Sequence, residues 1–401
     1  MRVGNLALAD PGVARVRCRV PIVYDVAVVG LGGIGSAVLA RCAAAGAKVI
    51  GLERFARGHD LGSSSGKSRL IRKAYFEDPA YVPLLLRTYE LWRALERESN
   101  EQILRITGML LVGREEGEVI SGSRRSALAY DLPIEFLDWA EIRKRYPSLN
   151  VRADEVAVFE SDGGVLNPER AIAAHLKLAE ARGAETRFEG AMTNWTATAA
   201  GFELTLADGS QVSARKLVLA LGPWFRQTLD SLGVKLRVQR NVQAWFTPTT
   251  QIYRADRFPA FLLEREGLPA PLYGFPDAGE GIKAAFHGFG EITEADSVDR
   301  AIDPARDLTP LATCLDQWMP GAAGPLREAK VCMYSLTPDQ HFVIDRHPQH
   351  PGLILCGGFS GHGFKFAPVM GEIATELALK GESAHEIEFL SLRRFAGAPA
   401  V

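Results

Sequence analysis

The sequence predicts an α/β protein: a Rossmann-like dinucleotide-binding domain joined to a second domain built on a mostly antiparallel sheet. Three observations predict this. A glycine-rich turn links an apolar strand to a helix near the N-terminus, two later apolar strands (216–224 and 352–361) run into glycine turns, and three alternating, aromatic-bearing runs lie between them.

The first element is "YDVAVVGLGGIGSAVLARCAAAGAKVIGLER", Tyr24 to Arg54. Val26–Val29 is short, β-branched and apolar, which predicts a buried strand. Gly30, Gly32, Gly33 and Gly35 form the turn, Ala37–Ala45 has helical composition, and Gly46 stands where a helix stops. "KVIGL" is a second strand and delivers Glu53. In a G-x-G-x-x-G turn the glycines allow the tight bend, backbone approach to a pyrophosphate, and close packing of helix on strand. The helix N-terminus then faces the pyrophosphate, and an acid at the end of the second strand accepts from a ribose diol. Arg54 fits a ribose 2′-phosphate or plain solvation.

"GSSSGKSRLIRKAY" (Gly62–Tyr75) begins as turn and becomes extended, placing Arg69 and Arg72 three residues apart. Guanidinium groups there suit a carboxylate or an electron-rich ring edge, or else solvent. Leu166–Ala184 is a helix with Asn167 as its cap, Pro168 in its first turn and Gly183 as its stop; His175 on it is expected to be half exposed. "QRNVQAWFTP", "APLYGFP" and "GIKAAFHGF" alternate as antiparallel strands do, so Lys283 and His287 share a face. Pro368 opens a last helix that stops at Gly381.

The 401 residues, 47% hydrophobic and 23% charged, suffice for a large core. A formal net charge of −2 without basic runs excludes a nucleic-acid footprint, and no apolar stretch is long enough to cross a bilayer. Five scattered cysteines without C-x-x-C point to reduced thiols and a cytoplasmic address. Residues 1–22 read as a tail without a secretory signal. "HPQH" (His347–His350) reads as a loop, and no metal site is expected. The expected organisation is a discontinuous nucleotide domain (23–105, 155–235 and 325–395) and a substrate domain (106–154 and 236–324).

"KVCMYSLTPDQHFVID" holds a lone cysteine, Cys332. From the residues alone it reads as a buried structural thiol, with Lys330 placed either to favour the thiolate or to face water. "GSSSGKSRLIRKAY", "GIKAAFH", "CMYSLTPDQHFVIDRHP" (Cys332–Pro348) and "GFSGHGFKFAP" (Gly358–Pro368), in that order, resemble the monomeric sarcosine oxidase family. That family includes N-methyltryptophan and pipecolate oxidases, within the glycine oxidase/D-amino acid oxidase superfamily of FAD enzymes, and the resemblance runs from about residue 24 to 395.

The resemblance implies an FAD-binding domain, with Cys332 bonded through sulfur to the flavin 8α-methyl. It implies that Lys283 activates oxygen, Arg69 packs on the ring, Arg72 and Lys365 hold the substrate carboxylate, and Tyr273 and His287 line the reaction site. Ser64, Gly361, Gly363, Phe364 and Lys365 join Gly30–Gly35, Glu53 and Arg54 around the cofactor, with the final helix aimed at the flavin N1–C2=O edge. The implied reaction passes hydride from the carbon next to nitrogen of a secondary-amine amino acid, sarcosine first, to flavin N5, giving an imine and hydrogen peroxide. The partners are then the amine and oxygen, on a monomer or weak oligomer. Alternatives are a cyclic imino acid such as pipecolate or proline, a biosynthetic tailoring amine oxidase, and a non-catalytic FAD-binding subunit. Ser65 and Lys67 depart from the family's usual His and Asp.

Overall fold

The computed structural model describes residues 23–396, so the expected N-terminal tail lies outside the described residues. The glycine-rich segment folds as expected, although its strand starts earlier, at Val23–Val29, and its helix occupies Gly33–Ala44. Strand Val49–Leu52 pairs parallel with the first strand on one side, and Gln211–Leu219 on the other. Glu185–Arg187 and Leu353–Gly357 extend this parallel sheet at either end. Its strands are apolar on both faces: the first helix, packed on Pro168–Ala181 and on Ala367–Leu379, covers one, and Phe202, Leu204, Leu206, Phe225 and Leu229 pack against the other. The helix caps match expectation: Asn167 Oδ1 accepts from Arg170 N, and Gly183 and Gly381 adopt left-handed φ of 86° and 87°.

The second sheet has nine strands and is antiparallel except where Ala260–Leu263 lies parallel to Met109–Gly113. Its centre is Arg237–Phe246, flanked by Ile282–Phe286 and by Leu326–Leu336. Two strands therefore sit differently from the expected segments. Leu326–Leu336, which carries Cys332, and Val156–Glu160 fall in segments expected to belong to the nucleotide domain, yet both hydrogen-bond into the second sheet. Long-range pairing decides this, and a strand's own composition does not encode its partner. A small sheet of Arg69–Ile71, Gly164–Leu166 and Leu104–Ile106 bridges the two larger ones. Among the described residues no helix is long and apolar enough to cross a membrane.

His175 corrects an expectation: it is 5% exposed, packs against Trp92, and its Nε2 has no partner among the described residues. Its position on the inner face of the helix follows from the 3.6-residue period, since Ala171, Ala174 and Ala179 are buried on the same side. Burial pushes its pKa down to about 3. An unfolded chain takes up that proton near pH 6.5, so stability falls as pH drops from 6.5 toward 3. His175→Leu should remove part of this loss: the parent should lose about 1 kcal/mol more stability than the variant per pH unit below 6, read as melting temperatures at pH 7, 6 and 5.

Candidate active site

A cavity of about 1300 Å³ runs between the two sheets, larger than the 300–1,000 Å³ of ordinary small-molecule pockets and suited to a dinucleotide plus a small substrate. One end is the glycine turn. A Cβ on Gly35 would sit 1.7 Å from Gly30 O, so helix and strand approach too closely for any side chain. At Gly32 the protein makes no such demand, since a Cβ there would meet only Ser64 Oγ at 3.6 Å. The space over Gly32 is therefore a cradle facing the cavity, as a pyrophosphate requires. Ser64 Oγ accepts from Gly33 N at 3.1 Å. Glu53 is buried, and its carboxylate accepts from Leu31 N and Phe55 N; burial opposes ionisation, but His59 and these two N–H groups outweigh it and lower its pKa. Arg54 pairs with Asp296 at 2.8 Å and stacks on Phe55 and Trp224, so its charge is already met by protein.

The loop after the second strand forms the cavity's middle. Arg69 Nη2 donates to Ser63 O and Ser65 O (2.8 and 2.6 Å) and lies 4.0 Å from Cys332 Sγ. Cys332 is buried, and its sulfur also contacts Ser63 O at 3.7 Å. It sits directly behind Ser63 and Arg69, both of which line the cavity. Lys330 does not serve this thiol but pairs with Asp60 at 2.9 Å. Lys283 is 2% exposed; its Nζ donates to Gly66 O at 2.6 Å and Ser68 O at 3.0 Å, beneath the rings of Trp245 and Phe275. Burial, reinforced by Arg69, drives its pKa well below the lysine norm. The two departures point elsewhere: Ser65 Oγ donates to Asp60 O, and Lys67 Nζ donates to Glu328 at 2.6 Å.

At the far end, Arg72 and Lys365 are both buried. Lys365 Nζ donates to His362 O at 2.8 Å and reaches Tyr75 Oη at 3.4 Å, while Trp92 Nε1 holds the Lys365 carbonyl. Burial first, then the charge of Arg72, lowers the Lys365 pKa to about 7. Arg72 Nη2 donates to both carboxylate oxygens of Glu77 (2.7 and 2.9 Å), Nη1 donates to Ala74 O, and the guanidinium lies over the rings of Tyr75 and Phe76. Glu77 lines the cavity and is held down to about 2, burial notwithstanding, by Arg72 and by the fields of His362 and Lys365. Tyr273 and His287 also line the cavity, and His287 Nδ1 lies 3.3 Å from Tyr334 Oη. Burial keeps His287 neutral, with a pKa of about 4. Gly361, Gly363 and Phe364 form the turn that ends this wall, immediately before helix Ala367–Leu379.

The structure thus brings Arg69, Cys332 and Lys283 together at one place, and Arg72 and Lys365 at another. Sequence reasoning did not single out Glu77, Tyr75, Tyr334 or His362. Tyr334 was within reach, because it shares a strand face with Cys332 two residues away. Nothing in the sequence marks Glu77 as the partner of Arg72. His347 and His350 lie in a loop with ring centroids 5.0 Å apart and tilted by 34°, and no metal-binding cluster occurs among the described residues.

A glycine cradle, a buried acid at the end of the second strand and a cationic cavity beneath an antiparallel sheet define a dinucleotide-dependent oxidoreductase. Orphaned polar atoms in the cavity wall, Ser63 Oγ and Gln243 Oε1, fit a polar ring such as the flavin of FAD. The chain belongs to the FAD-dependent oxidoreductase family (DAO), whose model matches residues 25–377. It is 44% identical over 384 residues to the monomeric sarcosine oxidase of Streptomyces avermitilis, covering 94% of this chain and 99% of that protein. It is 33% identical over 375 residues to the N-methyl-L-tryptophan oxidase of Yersinia pestis, covering 93% and 99%. Among solved structures it is similar to NikD, an amino acid oxidase essential for nikkomycin biosynthesis, at 26% identity and a TM-score of 0.80, covering 92% of this chain and 97% of that one. The expected FAD fold and oxidoreductase class are borne out.

Gly32→Ala should leave the fold intact but yield protein with strongly reduced flavin content, because only a ligand competes for that space. Gly35→Ala should instead fail to accumulate as folded protein. The flavin-to-protein absorbance ratio and soluble yield check both.

Proposed function

We propose that this enzyme oxidises the C–N bond of a small N-methyl amino acid, sarcosine first, with oxygen as acceptor and Cys332 as the covalent tether of FAD. FAD supplies the two-electron acceptor for the hydride leaving the carbon next to nitrogen. The observation that carries the reading is Lys365, a buried amine facing the cavity beside two histidines, His287 and His362, that burial keeps neutral. Glu77 already offsets Arg72, so the positive charge available to a substrate carboxylate is chiefly that of Lys365. His287 and His362, with pKa values near 4 and 3, add no positive charge at neutral pH, which leaves room for a substrate amine. Tyr273 stays un-ionised because burial raises its pKa. Lys283, held by two carbonyls, presents its nitrogen beside Arg69, which suits stabilisation of negative charge developing on oxygen. A tailoring amine oxidase is the second reading, favoured by the likeness to NikD.

A peroxide assay across sarcosine, N-methyltryptophan, pipecolate and proline should show the highest kcat/KM for an N-methyl amino acid. Peroxide only from pipecolate and proline would favour a cyclic imino acid oxidase, peroxide from none of the four would favour the tailoring reading, and flavin reduction without peroxide would exclude oxygen as acceptor. Acid precipitation should give a yellow pellet for the parent enzyme and a yellow supernatant for Cys332→Ser; a white parent pellet would exclude the tether. Because the Lys365 ammonium is lost as pH rises through about 7, acetate should bind tightest below pH 7 and weaken by up to tenfold per unit above it. Lys365→Met should bind weakly at all pH values, measured by perturbation of the flavin spectrum.

A further inference from the structure

Strand Arg237–Phe246 carries three amides on one face, Gln239, Asn241 and Gln243, alongside the strand of Cys332. In register, Asn241 lies opposite Cys332 and Gln243 opposite Lys330. All three amides are buried. Gln239 Nε2 donates to the carbonyls of Gly288 and Gly290, and Asn241 Nδ2 donates to the Gln239 carbonyl, each at 3.2 Å. Gln243 differs. It is 2% exposed, lines the cavity, and its Oε1 accepts no hydrogen bond among the described residues.

A buried acceptor left unmade costs about 1–3 kcal/mol. A methionine would fill the same wall without that cost, so the amide calls for a donor on the cavity side. Its location is well defined. A Cβ built on Gly66 would lie 2.1 Å from Gln243 Oε1 and 3.4 Å from Lys283 Nζ, so amide and amine flank the same turn. Lys283 spends two donors on Gly66 O and Ser68 O, and a lysine nitrogen has one further tetrahedral position. Ser63 Oγ and Asn241 Oδ1, beside Cys332, are likewise buried without partners, so unmet hydrogen-bonding capacity is concentrated at this wall.

We propose that Gln243 is a positioning residue for the chemistry beside Lys283: its Oε1 accepts a hydrogen bond from a donor in the cavity, either an N–H of the bound ring or a water shared with Lys283 Nζ. The inference rests on the reading that the FAD ring occupies this cavity and that Lys283 acts on oxygen. It goes beyond that reading by giving a neutral side chain on a neighbouring strand control over the lysine or the ring. The charged and titratable groups facing Lys283 are Arg69, Cys332, Glu169 and Glu328, with Lys67 over the same Trp245 ring.

The test uses holoenzyme carrying Gln243→Met, Gln243→Glu or Lys283→Met. The measurements are the flavin reduction potential and the pH profile of reoxidation by oxygen in stopped flow. A ring donor predicts that Gln243→Met shifts the reduction equilibrium at least tenfold, about 30 mV for two electrons, while Gln243→Glu shifts it less. A shared water predicts an unchanged potential but a reoxidation midpoint displaced by half a pH unit or more in Gln243→Met. In that case Gln243→Glu moves the midpoint upward, because a carboxylate there stabilises the Lys283 ammonium. If Gln243→Met does not fold, Gln243→Glu decides alone: a shift in either its potential or its midpoint supports the proposal. Potential and midpoint both equal to the parent's in every Gln243 variant obtained overturn the proposal. Lys283→Met keeps the two readings separable. If it leaves reoxidation unchanged, the oxygen role of Lys283 fails, while the potential of the Gln243 variants still decides the role of Gln243.

Discussion

The buried nitrogen of Lys283, donating to the carbonyls of Gly66 and Ser68, is the contact on which the rest of the site depends. It joins a loop of the nucleotide-binding half to a strand in the middle of the second sheet. The same loop is held from two further directions. Glu169, in the first turn of a helix, accepts from Gly66 N and Lys67 N, and Arg69 folds back onto the carbonyls of Ser63 and Ser65. A segment rich in glycine and serine has little conformational preference of its own. Cross-linking by three charged groups, of which Lys283 is fully buried, makes its shape reproducible, because an unpaired buried donor or acceptor is expensive.

The cost of this arrangement is borne by Lys283 itself, whose charged form is disfavoured by burial and by Arg69. The substrate end follows the same logic with a different outcome. The Lys365 pKa falls to about 7, Arg72 pairs with Glu77, and the histidines stay neutral. Two cations, one carboxylate and two neutral imidazoles make a pocket of modest positive charge, able to take a carboxylate and tolerate an amine. Burial sets the protonation states of Lys365 and the two histidines, whereas the charge of Arg72 overrides burial at Glu77.

Much of this was legible in the sequence. The glycine turn, the caps at Asn167 and Gly183, and the alternation that puts Lys283 and His287 on one face all depend on relations within a few residues. The resemblance carried by the Cys332 and Gly358 blocks correctly indicated the FAD family. The pairing of strand Leu326–Leu336 with Arg237–Phe246 was not legible, since each strand alone fits either sheet. Nor was the burial of His175, because an imidazole suits the polar or the apolar side of a helix equally well.

By itself, then, the order of residues determined the local grammar: which segments bend, which become helix or strand, and which side chains share a face. Short-range sterics and hydrogen bonding are strong enough to decide those matters without partners. Only the tertiary structure decided which charges meet. Glu77 on Arg72 is separated by five residues but selected by a shared cavity, and Lys330 goes to Asp60 rather than to Cys332. Gln243 comes to stand beside Lys283 with its Oε1 unpartnered among the described residues. Electrostatic partnership depends on distance through space and on exclusion of water, and both exist only after the two sheets have closed on each other.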